Sequence, residues 1–384
     1  MIPAKRIHTV EEYYFSKKLR EVRGLIADGK PIVNLGIGSP DLQPPMVVVE
    51  ALEASLHDEI AHKYQSYQGI PALRNAIADF YQKNYDVTLS ANDEVLPLMG
   101  SKEGIMHISM AYLDEGDEVL IANPSYPTYT SVTKLLGAVP TYYDLEASNN
   151  WLPDLDVLEQ QDLSKVKLMW VNYPHMPTGA KATKNFFKDL IVFAKKHQIL
   201  IINDNPYSFI LNDEPLSILS IDGAKEVALE LNSLSKSFNM AGWRTGMVMG
   251  KAEHIQHVLK VKSNMDSGMF YGIQKGAIKA LASSKDWFSD LNKIYKERRK
   301  FIWELATKLH CTFDTETSGM FVWAKLHENN TLSSAEFIDK LLYEKDVFIT
   351  PGSIFGTQGE GYIRFSLCVS EEKIKEVINR IIAS

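Results

Sequence analysis

Short apolar runs alternate with helical patterns between residues 94 and 250. The runs are rich in β-branched residues, and residues 101–113 and 183–198 carry apolar side chains at helical spacing. Strands that alternate with crossover helices are typical of a largely parallel sheet covered by helices. An α/β domain is therefore predicted from the runs EVLPLMG, EVLIANP, KLMWVNYP, ILIINDNPY, VALELNSLS and RTGMVMG.

The pattern changes after residue 250. Long helical segments are followed by the strand–helix–strand–helix order MFVWAKL, SSAEFIDKLLYEK, GYIRFSLCV and SEEKIKEVINRII, which predicts a smaller α+β unit. The N-terminal segment cannot form a core alone and is its predicted companion. At 384 residues the chain exceeds the size at which one core usually keeps growing. We therefore expect a large domain at residues 40–280 and a small domain from residues 1–39 and 281–384.

Composition and charge exclude several classes of function. The formal net charge is −7 with no long run of either sign, which disfavours binding to nucleic acid or to a membrane surface. The sequence shows no signal peptide and no membrane-spanning run, so a cytoplasmic location is expected. Cys311 and Cys368 are far apart and outside any CxxC motif, so no disulfide framework or metal site is expected.

Lys236 follows the predicted strand VALELNSLS, close to Ser233 and Ser235. Ligands of open α/β sheets bind beyond the carboxyl ends of the strands. A lysine that is shielded from water there, with other cations nearby, favours its neutral and nucleophilic form. A solvated loop lysine would have the same local sequence, so this position by itself leaves both interpretations open.

Asp204 closes the apolar run ILIIND, and Tyr207 follows shortly after. A carboxylate at the edge of a buried sheet needs a cationic or protonated partner, because an isolated buried charge is unstable. An Asp-Asn-Pro segment is also a common turn or helix cap. Alone, the segment is compatible with either interpretation.

The segment LMGSKEGIM ends a predicted strand with Gly100 and Ser101 and continues at once as a helix. Backbone N–H groups at a helix start form an anion site that suits phosphate. The spacing does not match a P-loop, and the only GxG, at residues 36–38, lacks a third glycine. The segment is therefore a candidate phosphate site without a nucleotide-binding motif.

The order of these segments resembles that of the class I/II aminotransferases, which belong to the fold-type I enzymes dependent on pyridoxal phosphate. The resemblance covers nearly the whole chain. Within the family, KSNMDSGMFYGIQ is most similar to the branch of LL-diaminopimelate and aspartate-type aminotransferases. The segments that carry the family resemblance are NLGIGSPD, KYQSYQGIPALRNAIADFY, GSKEGI, NPSYPTY, NYPHMPTG, NDNPY, SLSKSFNMAGWRTG, PGSIFG and GYIRFS.

The resemblance implies a fold, a cofactor and a reaction. The fold would be a large domain with a mostly parallel seven-stranded sheet flanked by helices, and a small α+β domain from both chain ends. Pyridoxal phosphate would form an imine with Lys236, which would also carry a proton between the substrate Cα and the cofactor. Asp204 would keep the pyridine nitrogen protonated. Ping-pong transfer between an amino acid and a 2-oxo acid is expected, with glutamate and 2-oxoglutarate as one pair.

Other site residues are also implied by the resemblance. Tyr207 would hydrogen-bond the phenolic oxygen of the cofactor, and Tyr126 would stack on its ring. Tyr64 would reach the phosphate of the neighbouring subunit, so a homodimer with shared sites is expected. The phosphate would be held by the helix start and by Ser101, Lys102, Ser233 and Arg244.

The substrate would be gripped from the small domain. Arg364 would bind its α-carboxylate through the bidentate guanidinium fork, helped by the backbone of Gly38. For all these residues a structural role is the alternative: core aromatic rings, helix caps or surface ion pairs.

Met176 departs from the family pattern. The family's NPTG segment begins with an asparagine that contacts the phenolic oxygen, whereas this chain has Met176 followed by Pro177, Thr178 and Gly179. A thioether cannot donate that hydrogen bond. We therefore expect a higher imine pKa than in a Met176→Asn variant.

Three other functions remain as alternatives. The same cofactor and fold support lyases and decarboxylases. The segment from Ser233 to Lys236 matches the SxxK pattern of serine acyl-enzymes, although no SDN element is present. A cofactor-binding regulator is a third possibility, but no helix-turn-helix pattern or basic region precedes the fold.

Overall fold

A computed structural model describes residues 1–383 and contains two sheets of four or more strands. Its strands in chain order are β1 (Val33–Asn34), β2 (Val95–Leu98), β3 (Glu118–Asn123), β4 (Val139–Asp144), β5 (Val166–Val171), β6 (Leu200–Asp204), β7 (Ala228–Ser233), β8 (Gly246–Gly250), β9 (Thr312–Phe313), β10 (Phe321–Lys325), β11 (Val347–Phe348), β12 (Thr350–Pro351) and β13 (Tyr362–Ser366).

The α-helices pack around these sheets. In chain order they are α1 (Tyr14–Ala27), α2 (Met46–Ser55), α3 (Pro71–Tyr85), α4 (Ser101–Tyr112), α5 (Pro127–Leu135), α6 (Leu155–Leu158), α7 (Lys184–His197), α8 (Leu234–Ser237), α9 (Ala252–Lys262), α10 (Tyr271–Leu281), α11 (Lys285–Lys308), α12 (Ser334–Lys345) and α13 (Glu371–Ile382).

The large sheet has seven strands in the order β2-β8-β7-β6-β5-β3-β4. All neighbouring strands run parallel except β8, which is antiparallel to both β2 and β7. Its central strands are almost entirely buried, as expected for a parallel sheet covered on both faces. The predicted α/β fold with a mostly parallel seven-stranded sheet is confirmed.

Strand β4 is the strand of this sheet that no apolar run predicted. It lies at the sheet edge, its side chains are largely exposed, and Val139 is 47% exposed. An edge strand that faces solvent does not need a continuous apolar run, so its sequence resembles that of a loop.

The side chains of each strand point alternately to the two faces of the sheet, and each face packs in its own hydrophobic core. Leu120 of β3 packs in one core with helices α3 and α7, whereas the neighbouring Ile121 packs in the other with α4, α5 and α9. Successive side chains of a strand point to opposite faces, which explains this division. The carboxyl ends of all strands of this sheet except β8 lie at the same edge.

A second unit combines both ends of the chain. Strands β12, β13, β10 and β9 form an antiparallel sheet, and β1 pairs parallel with β11. Side chains from residues 22–35 share a hydrophobic core with α11, α12 and α13. The domain limits at residues 40 and 280 remain a prediction.

Both cysteines are buried and unpaired, as expected from their separation in sequence. Among residues 1–383, no helix combines the length and the apolar character that a membrane crossing requires.

Candidate active site

One cavity of about 550 Å³ lies where the carboxyl ends of β6 and β7 meet the start of α4. All the residues predicted for cofactor or substrate, except Tyr64, line it together. These are Gly38, Ser101, Lys102, Tyr126, Asp204, Tyr207, Ser233, Lys236, Arg244 and Arg364.

Lys236 lies on the short helix α8, directly after β7. Its Nζ donates a hydrogen bond to the carbonyl oxygen of Gly38, and no carboxylate pairs with it in the described residues. Burial lowers the pKa of Lys236, and the positive charges of Arg364 and Arg244 act in the same direction. The amine is therefore biased toward its neutral, nucleophilic form.

Asp204 is the last residue of β6 and is 5% exposed. Its Oδ2 accepts a hydrogen bond of 2.8 Å from the hydroxyl of Tyr129, whereas its Oδ1 has no partner. Burial raises the pKa of Asp204 to about 7, and the Tyr129 hydrogen bond opposes that rise. A cationic ligand group at Oδ1 would stabilise the carboxylate form.

Tyr126, which directly precedes α5, and Tyr129 within that helix differ in their roles. The ring of Tyr126 is 5.6 Å from that of Tyr129 in an edge-on arrangement. Tyr129 stacks on Trp170 with ring centroids 4.8 Å apart, which fixes the hydroxyl that reaches Asp204. Sequence reasoning missed Tyr129, although its helical spacing from Tyr126 places both on one helix face.

Gly100, Ser101 and Arg244 form one end of the cavity. Gly100 has a φ of 95°, and a Cβ there would lie 2.2 Å from a terminal nitrogen of Arg244. The positive φ favours glycine here, and the absence of a Cβ leaves room for the guanidinium beside the start of α4. The hydroxyl of Ser101 is buried without a partner, and Ser233 caps α8 by accepting from the Ser235 amide.

Lys102 is exposed at the same end of the cavity. Its Nζ lies 4.7 Å from the ring centroid of Tyr13, which precedes α1. Burial raises the pKa of Tyr13 well above its ordinary value. Tyr13 and the neighbouring Phe15 were not predicted as site residues, because nothing in their local pattern links them to the sheet.

Arg364 lies on β13 and is 4% exposed. One terminal nitrogen donates to the Gly36 carbonyl at 2.9 Å and the other contacts Met176 Sδ at 3.2 Å, while Nε has no partner. The ring centroid of Phe321 lies 4.0 Å from the guanidinium carbon. Burial lowers the pKa of Arg364 to about 10. No carboxylate of the described chain forms an ion pair with it.

Gly38 and Tyr207 complete the wall. A Cβ on Gly38 would lie 2.3 Å from the Phe321 ring, so any larger residue would have to displace that ring. Tyr207 packs edge-on against the same ring at 5.9 Å, and burial raises its pKa.

Tyr64 is the one predicted site residue that does not line the cavity. It is 90% exposed and does not line the cavity of its own chain. Its predicted role in a neighbouring subunit remains a prediction.

A separate polar cluster joins Glu103, His107 and Asp266, each with a potential ligand atom within 4.8 Å of the others. The ammonium group of Lys262 bonds to Asp266 at 2.5 Å, so the cluster contains its own cation. The absence of a metal site remains a prediction.

The model of the aminotransferase class I and II family matches residues 30–381. The chain belongs to this family. An LL-diaminopimelate aminotransferase of Maridesulfovibrio salexigens is 42% identical over 381 residues, which are 98% of each chain. That of Aquifex aeolicus is 39% identical over 378 residues, 98% of this chain and 97% of the relative.

Solved structures show the same aminotransferase fold. Apo-BacF from Bacillus subtilis superposes with a TM-score of 0.95 at 36% identity, over 99% of this chain and 98% of that one. An aminotransferase from Staphylococcus aureus gives a TM-score of 0.90 at 30% identity, over 99% and 98% of the two chains. The predicted family, enzyme class and dependence on pyridoxal phosphate are confirmed.

The cavity of this aminotransferase fits that cofactor. Buried polar atoms without a partner include Ser101 Oγ at the phosphate end and Asp204 Oδ1 at the sheet. An unsatisfied buried polar atom destabilises a protein by about 1–3 kcal/mol, so a ligand that pairs with these two atoms would be stabilised in the cavity. Ser101 and Arg244 suit a phosphate, and Asp204 suits a protonated ring nitrogen.

Family membership excludes two of the alternatives. A serine acyl-enzyme and a non-enzymatic regulator are both wrong interpretations of this chain, because it belongs to a family of aminotransferases. The hydroxyl of Ser233 accepts a hydrogen bond from the Ser235 amide and so caps helix α8. This contact explains the serine without a nucleophilic role.

Proposed function

We propose that this aminotransferase exchanges amino groups between an amino acid and a 2-oxo acid in two half-reactions, with glutamate and 2-oxoglutarate as one pair. Lys236 would hold the cofactor and move the proton at the substrate Cα. The main support is that the cavity joins an amine with a lowered pKa, a carboxylate oxygen without a partner and an arginine without an acidic partner.

Bound pyridoxal phosphate supplies an electron sink that stabilises negative charge at the substrate Cα. Asp204 would face the ring nitrogen with Oδ1, while Tyr129 orients the carboxylate through Oδ2. Tyr207 would donate to the phenolic oxygen, and Tyr126 would lie against the ring face. Ser101, Lys102, Ser233 and Arg244 would hold the phosphate.

Proton transfer would fall to Lys236 Nζ. Burial lowers the pKa of this amine, which favours the neutral form that can accept a proton. A hydrogen bond to the Gly38 carbonyl would orient this amine once substrate has displaced it from the cofactor.

Arg364 would bind the α-carboxylate. The Gly36 carbonyl and the ring of Phe321 hold its guanidinium in place. A carboxylate that binds through two parallel hydrogen bonds would supply the missing anionic partner.

A homodimer is part of the proposal. The exposed apolar residues Ile60, Tyr64, Met265 and Phe270 lie on two segments that touch, since His62 and Phe270 stack at 6.5 Å. Such a patch is typical of a protein interface. Tyr64 would cross this interface to the partner's phosphate.

Reduction of the holoenzyme with borohydride, followed by peptide mapping, tests the central claim. The cofactor is expected on Lys236. A label on any other lysine would refute the proposed function. The Lys236→Ala variant is expected to bind pyridoxal phosphate without a covalent link.

Mixed dimers test the shared site. Neither Lys236→Ala nor Tyr64→Ala chains should be fully active alone. Mixed after reversible dissociation, they would form one site with Lys236 from one chain and Tyr64 from the other. Recovered activity is expected, and a mixture no more active than its components would contradict the shared site.

A further inference from the structure

Residues 35–45 form a loop between β1 and α2 that contains no helix or strand. Two of its backbone carbonyl groups enter the active site. That of Gly36 accepts a hydrogen bond from Arg364 at 2.9 Å, and that of Gly38 accepts one from Lys236. A carbonyl group has no side-chain rotamer to adjust, so its position depends on the path of the backbone. The path of this segment, the substrate loop, therefore decides how two of the proposed functional groups are held.

One ion pair anchors the substrate loop to the unit built from both chain ends. The two terminal nitrogens of Arg298, on α11, donate to the carboxylate of Asp41 at 2.7 and 2.8 Å. One of them also donates to the carbonyl oxygen of Leu367 at 3.0 Å, just after the strand β13 that carries Arg364. The guanidinium of Arg298 therefore ties the loop both to a helix and to the strand of the proposed carboxylate grip.

The geometry of this pair suits it to fix a backbone. A bidentate pair between arginine and a carboxylate restrains direction as well as distance. Arg298 is 4% exposed, so solvent screens this pair less than the exposed pair of Asp290 and Lys293 on the same helix. Neither Asp41 nor Arg298 lines the cavity, so the pair would act on substrate through the loop.

We propose that Asp41 and Arg298 are positioning residues for substrate, because their ion pair holds the substrate loop in place. The loop in turn orients Arg364 through Gly36 and presents the backbone of Gly38 to the α-carboxylate. The inference rests on the proposed function, which assigns the α-carboxylate to Arg364. All the contacts that carry it lie within one chain, so it holds whichever residues a partner subunit adds to the site.

Loss of the pair is expected to weaken substrate binding more than cofactor binding. A displaced carbonyl at Gly36 frees the guanidinium of Arg364, and a misplacement of about 1 Å can reduce activity by about 10²-fold. The apparent dissociation constant of the donor amino acid should rise by roughly 10- to 100-fold. The affinity for pyridoxal phosphate should change little, since Ser101, Asp204 and Arg244 lie outside the loop.

A double variant separates positioning from folding. Asp41→Ala leaves the buried guanidinium of Arg298 without its partner and is expected to lower the free energy of unfolding. Asp41→Ala combined with Arg298→Met removes both charges and should recover much of that stability. The hydrogen bonds between the two residues are absent from both variants, so substrate affinity should remain low in the double variant. A pair with a merely structural role would recover affinity together with stability.

Two measurements on the holoenzyme test this. The reaction with glutamate is followed through the loss of the visible absorbance of bound pyridoxal phosphate, and its dependence on glutamate concentration gives the apparent dissociation constant and the maximal rate. Hydrogen-deuterium exchange of the backbone amides in residues 35–45 needs no substrate and should be faster in both variants. Asp290→Asn, which breaks the exposed ion pair on α11, is the matched control and should change neither quantity.

The outcomes separate the inference from the proposed function. Recovery of both stability and glutamate affinity in the double variant would overturn the inference, as would unchanged amide exchange in the loop. A lower maximal rate with an unaltered apparent dissociation constant would also overturn it. No reaction of the unmodified enzyme with any amino acid would instead overturn the proposed function, and amide exchange distinguishes the two failures.

Discussion

Two buried carboxylates on neighbouring strands of the large sheet show how function differs from structural support. Glu230 on β7 accepts hydrogen bonds from Tyr81, Asn203 and the Ile218 amide, so both of its oxygens have partners. Asp204 on β6 accepts a hydrogen bond from Tyr129 with one carboxylate oxygen, and its other oxygen has no hydrogen-bond partner. Burial raises the pKa of both acids. The two acids differ in whether both carboxylate oxygens accept hydrogen bonds. Asp204, which has an oxygen without a partner, is the one that lines the cavity.

The same contrast holds for two lysines. Lys262 is fully buried and bonds to Asp266 at 2.5 Å. Lys236 lies in the cavity without a carboxylate partner, beside Arg364 and Arg244, whose charges lower its pKa further. Lys262 is therefore paired within the fold, whereas Lys236, with its lowered pKa and its place in a cavity, is a candidate for a functional role.

Substitutions of these two lysines are expected to give the largest difference in effect on activity and stability. Lys236→Ala should lower kcat by at least roughly 10²- to 10⁴-fold, because it removes the proposed proton carrier. Lys262→Met should retain activity but lower the free energy of unfolding by about 3–5 kcal/mol, because Asp266 loses its cation. Steady-state kinetics and denaturant unfolding measure the two effects. The reverse pattern would contradict the comparison.

The acids provide the next test. Asp204→Asn should lower kcat/KM by roughly 10- to 150-fold, as expected for the loss of one charged hydrogen bond of about 1.5–3 kcal/mol. Glu230→Gln is the matched control and should reduce stability by about 1–3 kcal/mol with little change in kcat/KM. Similar kinetic losses in both variants would mean that the unsatisfied oxygen has no special role.

The effect of Asp204 on the pH dependence of apoprotein stability is expected to be smaller than these kinetic effects. Burial raises the pKa of Asp204 from 3.8 to about 7, so between these values the folded apoprotein holds a proton that the unfolded chain has lost. This group therefore contributes stability at low pH that is lost as pH rises through 7. The apoprotein of Asp204→Asn should be more stable than the unmodified apoprotein at pH 8, with a smaller difference at pH 5. Thermal unfolding at both pH values checks this, and a pH-independent difference would contradict it.

Met176→Asn should give the smallest change. The asparagine can donate a hydrogen bond to the phenolic oxygen of the cofactor, which the thioether cannot. The pKa that governs the visible absorbance of the holoenzyme should fall by about 1 unit, the equivalent of one hydrogen bond. A spectroscopic pH titration of both forms measures it. An unchanged or raised value would contradict this prediction.

Much of the fold and part of the site were predictable from local patterns. Apolar runs marked the buried strands, and the residues that close those runs, Asp204 and Lys236, lie at the sheet edge as parallel strands require. The exposed edge strand β4 lacked such a run and was missed as an element. Tyr129 was also missed, because its role depends on a hydrogen bond to a strand distant in sequence.

The sequence by itself determined the order of the buried strands and main helices, the family and the chemical groups available for catalysis. The tertiary structure decided which groups keep an unsatisfied atom and which residues share one cavity. Phe15 and Arg364 stand near opposite ends of the chain, yet the Phe15 ring lies 5.6 Å from the guanidinium carbon. Local periodicity records which face of an element is buried, but not which distant segment packs against that face.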